Sequence, residues 1–383
     1  MATKGKGADK SANKSKTVKN MTEMPGVDDF VEKPDKVWSG FYRETDSIAT
    51  YAPESGTLVN FEPDLRESKK SKKSLLKKIR DEGSEVLKEV DQTLLDDREF
   101  MLEAMINSYG FAIQYAGEKV RADAEVVLES IKYWGDALSH ADDVLKANRE
   151  FVIKAVKESG WTLSHANESL KADREIVLTA VGKFGWALQF ANDSLKVDRE
   201  VVTVAVSCDG HALRFADDHL KADRDVVIAA VKNSGSSLQY VDDSLKADRD
   251  VVIAAVSEYG WALVYADESL KSDHEVVLAA IKQDDSALAH ASDRLKSDRE
   301  FMISRINEDG WALDYADAVL KADREVVLMA VKQKGWALQC ADDALKADRE
   351  VVLTAIKQDG AAIEFASKNL RRDKELKELA KSN

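Results

Sequence analysis

Histidines and carboxylates are the side chains that hold metals and move protons, and their placement in this chain suits neither task. His140 and His165 hold equivalent places in consecutive copies of a repeated segment, so stacking of those copies would set them side by side, as a metal pair or in ordinary packing. His211, His219, His274 and His290 are scattered through other copies. Adjacent acids such as Asp142-Asp143, Asp217-Asp218 and Asp342-Asp343 lack the alternate ligand spacing and central glycine of a calcium loop, and read as a solvated acidic edge. Cys208 and Cys340 occupy different places in their units and would not meet, which fits a reducing compartment. There is no phosphate-cradling glycine loop, no zinc-protease His-Glu pair and no nucleophile elbow. Catalysis needs a unique constellation, whereas nearly every polar residue here recurs unit after unit. The expectation is a protein without catalytic residues, metal or cofactor.

Residues suited to contact are easier to find. Trp161, Trp186, Trp261, Trp311 and Trp336 each follow a glycine at the same place in the unit, and the same column holds Phe111, Asp136, His211, Ser236, Ser286 and Ala361. A fully buried indole would not tolerate exchange for aspartate or serine, so the column is expected to be half exposed. Each ring either covers the joint between two helices, or neighbouring pairs (Trp161 with Trp186, Trp311 with Trp336) offer flat area to a partner. Trp38, Phe41 and Tyr42 add aromatic contact area in a segment that also contains all four prolines, either an arm on the protein's own array or a peptide that docks on a partner. A basic cluster, Lys69, Lys70, Lys72, Lys73, Lys77, Lys78 and Arg80, suits nucleic acid or an acidic membrane, as do the six lysines of residues 1–20. Residues 84–383 carry 39 basic and 56 acidic side chains, a balance of −17 that repels those same partners.

The elements that position these residues follow from the repeat. Gly110, Gly135, Gly160, Gly185, Gly210, Gly235, Gly260, Gly310, Gly335 and Gly360 fall on one 25-residue grid, with Asp285 in the remaining slot. Within the unit Leu170–Ser194, Asp173 caps a helix, Glu175 sits where the helix dipole favours an acid, and Ile176, Val177, Ala180 and Val181 form its apolar stripe. Gly185 is expected to end that helix by a left-handed turn. A second, shorter helix carries Trp186, Leu188, Phe190 and Ala191, and residues 192–196 read as a polar link. Neither helix would persist alone, so each must lie on the next unit. The third residue after the grid slot is Leu or Ile in all eleven units and faces the core; the fourth ranges over Gln189, Arg214, Val264 and Asp314 and faces solvent. The repeated Lys-Ala-Asp-Arg-Glu places opposite charges one unit apart and predicts charge ladders along the stack. Asp285, and Ser236, Ser237 and Val241, weaken the grid, so the stack should bend or open near 233–242 or near 285.

The domain reading is a basic tail over 1–20, an irregular proline- and aromatic-rich arm over 21–68, a basic capping repeat over 69–98, and tandem repeats with a closing cap over 99–383. The fold class is all-α: a helical solenoid of two-helix units behind a partly disordered arm. No run of about 18 apolar residues exists, nor a secretory signal, so an intracellular, cytoplasmic protein is expected. The units read close to Leu-Lys-Ala-Asp-Arg-Glu-Val-Val-Leu-Ala-Ala-Val-Lys-Gln-Asp-Gly-Trp-Ala-Leu-Gln-Tyr-Ala-Asp-Asp-Ser. From about Glu99 to Asp373 this resembles a family of short tandem repeats catalogued as a domain of unknown function, with Ala124, Gly182 and Asp285 as local departures. The resemblance implies an all-helical array and supplies no activity, ligand or catalytic residue. The function expected is a protein-binding scaffold or adaptor. The alternatives are a structural subunit anchored by its arm, and then polyanion or membrane binding through the lysines.

Overall fold

The computed structural model describes residues 69–382. Among them there is no strand; eleven α-helices of ten residues recur at a spacing of 25 or 26 from Arg98–Asn107 to Arg349–Gln358. A fourteen-residue helix, Lys69–Glu82, opens the array, and a nine-residue helix, Lys374–Ser382, closes it. Trp38, Phe41, Tyr42 and the boundaries drawn before residue 69 lie outside the described residues.

A single unit shows why these residues fold as they do. Asp173 holds an extended backbone and accepts hydrogen bonds from the amides of Glu175 (3.0 Å) and Ile176 (3.2 Å), satisfying donors that the first turn of Arg174–Lys183 would otherwise leave free. After Phe184 the chain tightens into a six-residue 3₁₀ turn, Gly185–Phe190. The stretch read as a polar link is itself one turn of helix, Asp193–Lys196, capped by Asn192. The unit thus contains three helical pieces rather than two, since Asn and Asp at the cap offer the local hydrogen bonds that a link would need from water.

The grid glycines do not serve the purpose expected of them. Among the described glycines only Gly83 and Gly110 have positive φ, so no glycine ends the other helices by a left-handed turn. Their requirement is space: a Cβ on Gly185 would lie 2.6 Å from the carbonyl oxygen of Ala205, and one on Gly235 2.2 Å from that of Ala255. Each glycine lets its 3₁₀ turn press against the C-terminal half of the next unit's long helix. That helix meets it with alanine, at 180, 205, 230, 255, 280, 330 and 355. Glycine and alanine together set the spacing of the stack.

Packing then runs without a break from Leu75 to Leu376 as one apolar core. In a typical unit Val201, Val202, Ala205 and Val206 are fully buried against their neighbours. Burial of a single Val or Leu contributes roughly 1.5–3 kcal/mol, and helices of this length are marginal alone, so neighbours supply the stability. Each junction is also tied through the backbone: the amide of Asn192 donates to the Lys171 carbonyl (2.9 Å), and Asp242 to Lys221 (3.1 Å).

A second tie is ionic, and the charge ladder foreseen from Lys-Ala-Asp-Arg-Glu is present. Arg149 donates to Asp173 (2.7 Å) and Glu175 (2.6 Å) of the next unit, and Arg174 does the same to Asp198 (2.8 Å) and Glu200 (2.5 Å). The Arg149 guanidinium holds the Asp173 carboxyl below the usual aspartate range even though partial burial opposes it. Arg98, Arg199, Arg224, Arg249, Arg299, Arg324 and Arg349 form the same rungs. Two slots in the run are empty of arginine: Ala124 and His274.

Candidate binding surface at the aromatic column

The tryptophan column lies on the 3₁₀ turns, and at most of its tryptophans a ring of the next unit packs against the indole. Trp161 packs edge-on against Phe190 (centroids 5.0 Å apart), Trp186 against Phe215 (5.4 Å), Trp261 against His290 (4.7 Å) and Trp336 against Phe365 (5.2 Å). In every case the capping ring comes from the end of the following unit's 3₁₀ turn. The indole N–H groups are satisfied too. Trp186 donates to Asp209 (2.7 Å), Trp336 to Asp359 (2.9 Å), Trp261 to Ser286 (2.7 Å), and Trp161 to Asp136. These rings therefore cover joints between units, the plainer of the two roles expected of the column.

Trp311 is different. The capping position of its following unit is Cys340, so no ring covers it, and among the described residues its indole N–H has no hydrogen-bond acceptor. The indole is 37% exposed, close to Trp261 (39%) and Trp336 (45%), so what sets it apart is the missing ring and acceptor rather than its exposure. Between Trp311 and Trp336 opens a cleft of about 310 Å³, edged by Asp309, Lys334, Gln358 and Asp359. Asp309 accepts from the Trp311 backbone amide (3.0 Å) and sits 4.0 Å from Lys334. Asp359 holds the amide of Ala361 (2.9 Å) as well as the Trp336 indole. Of the two pairs singled out in the sequence, Trp161 with Trp186 is closed over and Trp311 with Trp336 borders a concavity.

On its other side Trp311 borders a second cavity of about 70 Å³, reached by Asp285, Leu288, Arg305 and Tyr315. Here the stack changes. Asp285 brings a Cβ into the slot where every other unit has glycine, and Arg305 stands where the facing helix elsewhere has alanine or, at Ser130, serine. Helix Arg299–Glu308 accordingly gives up the close packing on helix His274–Gln283 that other neighbouring helices keep. The Arg305 guanidinium fills part of the gap, donating to both oxygens of Glu308 (2.7 and 2.8 Å), while its Nε is buried without a partner. The arginine rung is missing at this junction as well, and the His274 ring meets Phe301 edge-on instead (5.3 Å). The backbone tie survives, Ser292 donating to the Lys271 carbonyl at 3.0 Å. The weakening expected near 285 is present. Near 233–242 the stack is closed: helices Arg224–Asn233 and Arg249–Glu258 pack fully, and Arg224 reaches Asp248 at 2.9 Å. Ser237 is fully buried there with its hydroxyl unpartnered, while the Ser236 hydroxyl pairs with His211 (2.9 Å), so the serines leave the joint filled.

The other sequence candidates fall into place. His165 is hydrogen-bonded to Asp136 (2.9 Å) and His140 stacks on Trp134 (5.3 Å); burial first, then the nearby His165, pushes the His140 pKa down. No group of three His, Cys, Asp or Glu suited to a metal exists among the described residues. In the basic cluster, Lys72 pairs with Asp97 (2.5 Å) and Arg80 donates to Asn107 (2.9 and 2.8 Å), so both serve the array's own first junction, whereas Lys73 and Lys77 are exposed. Cys340 has its thiol against Asp314 (3.4 Å), and burial with that carboxylate pushes it up to about 12, keeping it neutral. Arg305 and Cys340 escape a reading unit by unit, although each breaks a column, of alanine and of aromatic rings, that alignment of the units exposes. No described helix is long and apolar enough to cross a membrane.

No curated protein and no solved structure matches the chain. Nine overlapping segments do match a protein family, the first at 97–146, the second at 123–171 and the last at 348–382, most of them two repeat units long. With most of its length in such segments, the chain belongs to the family described as Domain of unknown function (DUF4116).

Proposed function

We propose that the protein is a non-enzymatic scaffold that holds a partner protein on its outer aromatic column, at the Trp311–Trp336 cleft. One observation carries this reading: Trp161, Trp186, Trp261 and Trp336 each have a ring of the next unit packed against them, whereas Trp311, beside the cleft it shares with the similarly exposed Trp336, has none among the described residues. Exposed indoles beside a concavity are the residues that dominate protein interfaces. The tandem helical architecture supports it, since stacked units present side chains from successive turns along one continuous face. Engagement of Lys72 and Arg80 within the array weighs against a polyanion-binding role. The structural-subunit reading rests on residues 21–68, outside the described part.

The test is affinity purification of the full-length chain from its native cells, beside variants Trp311→Ser and Trp336→Ser. Serine already occupies this column at Ser236 and Ser286, so the fold should survive. Proteins retained by the native chain and lost by both variants, with circular dichroism unchanged, support the proposal. An identical set of retained proteins for all three overturns it.

A further inference from the structure

The open indole lies in a strongly acidic setting. Burial raises the pKa of the half-buried Tyr315, and Asp314, Asp284, Asp285 and Asp309 all bear on it and push it the same way. The basic groups nearby are already committed: Arg305 to Glu308, Lys334 facing Asp309, and Lys321 to the backbone carbonyl of Asp314 (2.6 Å). Negative potential is thus in excess on both sides of Trp311, while among the described residues no ring caps the indole and no acceptor takes its N–H.

The protein shows elsewhere what such a surface accepts. One unit after Trp186, Arg214 reaches back from its own 3₁₀ turn and lays its guanidinium over the Trp186 ring (5.8 Å), with Phe215 at 5.3 Å and Tyr240 at 5.6 Å. The place that Arg214 holds relative to Trp186 is held by Gln339 relative to Trp311, and it is followed by Cys340 where Trp186 has Phe215. A guanidinium and a ring that the array supplies to Trp186 are both lacking at Trp311.

Resting on the binding role proposed above, we infer that the Trp311–Trp336 cleft is a site for an arginine side chain in a basic segment of the partner protein. The guanidinium would lie on the Trp311 indole as Arg214 lies on Trp186, with Asp309 and Asp359 beside it as acceptors. A peptide carbonyl of the same segment would take the indole N–H. Arginine suits the site better than lysine, because a planar, weakly hydrated cation stacks on a ring while keeping its N–H groups in plane for carboxylates.

The experiment uses the full-length chain labelled with 5-fluorotryptophan and followed by fluorine NMR, the Trp311 signal being assigned by its loss in Trp311→Ser. The probes are three synthetic peptides of alternating glycine and serine that carry three arginines, three lysines or three citrullines. The arginine peptide should move the Trp311 and Trp336 signals, the lysine peptide should bind more weakly, by about threefold to thirtyfold on the scale of cation–π contacts, and the citrulline peptide should leave them in place. Cys340→Phe should restore the missing ring, abolish the shift and leave the fold intact. Trp311→Ser should abolish the shift of Trp336 and provides the same test if the larger side chain at 340 perturbs packing. No movement with the arginine peptide, equal movement with citrulline, or binding that survives both variants overturns the inference. If the arginine peptide fails while protein capture still depends on Trp311, the arginine chemistry is wrong and the scaffold reading stands. If neither depends on Trp311, both fall.

Discussion

Two junctions of the same array, one closed and one open, show what holds the stack together. Between helices Arg224–Asn233 and Arg249–Glu258, Gly235 lies against the Ala255 carbonyl, Arg224 spans to Asp248 and Asp250, and the valines between are fully buried. Between helices His274–Gln283 and Arg299–Glu308, glycine has become Asp285, alanine has become Arg305 and the arginine rung has become His274. One backbone hydrogen bond remains as the common element. Cohesion in this array is therefore local: a glycine, the alanine that faces it and one arginine decide each joint, and substitution of all three opens one. Because each unit touches only its neighbours, the opening does not spread.

The comparison is broken most severely by transplanting the open chemistry into the closed joint. Gly235→Asp places a Cβ where only 2.2 Å is available, and should cost about 2–4 kcal/mol, read as a fall in the urea midpoint. A change within about 0.5 kcal/mol would mean that close approach does not set the spacing. The reverse exchange, Asp285→Gly with Arg305→Ala, removes the buried Nε and lets the helices meet; a gain of about 1–2 kcal/mol in thermal unfolding is expected. Loss of stability in the double variant would contradict that account.

Smaller effects sharpen the picture. Arg224→Gln should lower stability only slightly, because the arginine is nearly half exposed, and the loss should shrink in high salt. His274→Arg should add a rung to Asp298 and Glu300 and raise the melting temperature by a comparable amount. The ladder also fixes a pH dependence. Asp173, Asp198, Asp223, Asp248 and Asp348 sit below the ordinary aspartate value, chiefly through their arginine partners. A depressed folded-state pKa contributes stability that is complete above the unfolded-chain value, near 4, and is lost as pH falls through the lower folded value. Melting temperature should lose a first increment below about pH 6.5, as His140 and His290 are driven to take up protons, and a further one below about pH 4, as the ladder is lost. Absence of the second loss down to about pH 3 would remove the ladder from the stability account.

Much of this was legible before any coordinates. Helix starts at Asp173 and its equivalents, the buried column at Leu188, the ladder and the half-exposed tryptophans follow from residue type and period, which repetition makes unusually clear. The role of the glycines was not: a close approach to Ala205 is a contact between units, and nothing local to Gly185 separates it from a left-handed turn. The 3₁₀ form of Gly185–Phe190 escaped for the same reason, since its tight winding answers to the helix it packs against. At the candidate site the tryptophans were visible, but which of them is open depends on the last residue of the next unit's 3₁₀ turn. Phe190, Phe215 and Phe365 pack against their indoles, and Cys340 offers no ring.

Amide hydrogen exchange on the full-length chain tests the central claim most directly, that departures from the repeat gather at one joint and open it. The account predicts exchange in Arg299–Glu308 and Gly310–Tyr315 faster by at least about tenfold than in Arg224–Asn233 and Gly235–Tyr240, with the difference erased by Asp285→Gly and Arg305→Ala together. Equal protection of the two regions in the native chain would contradict it.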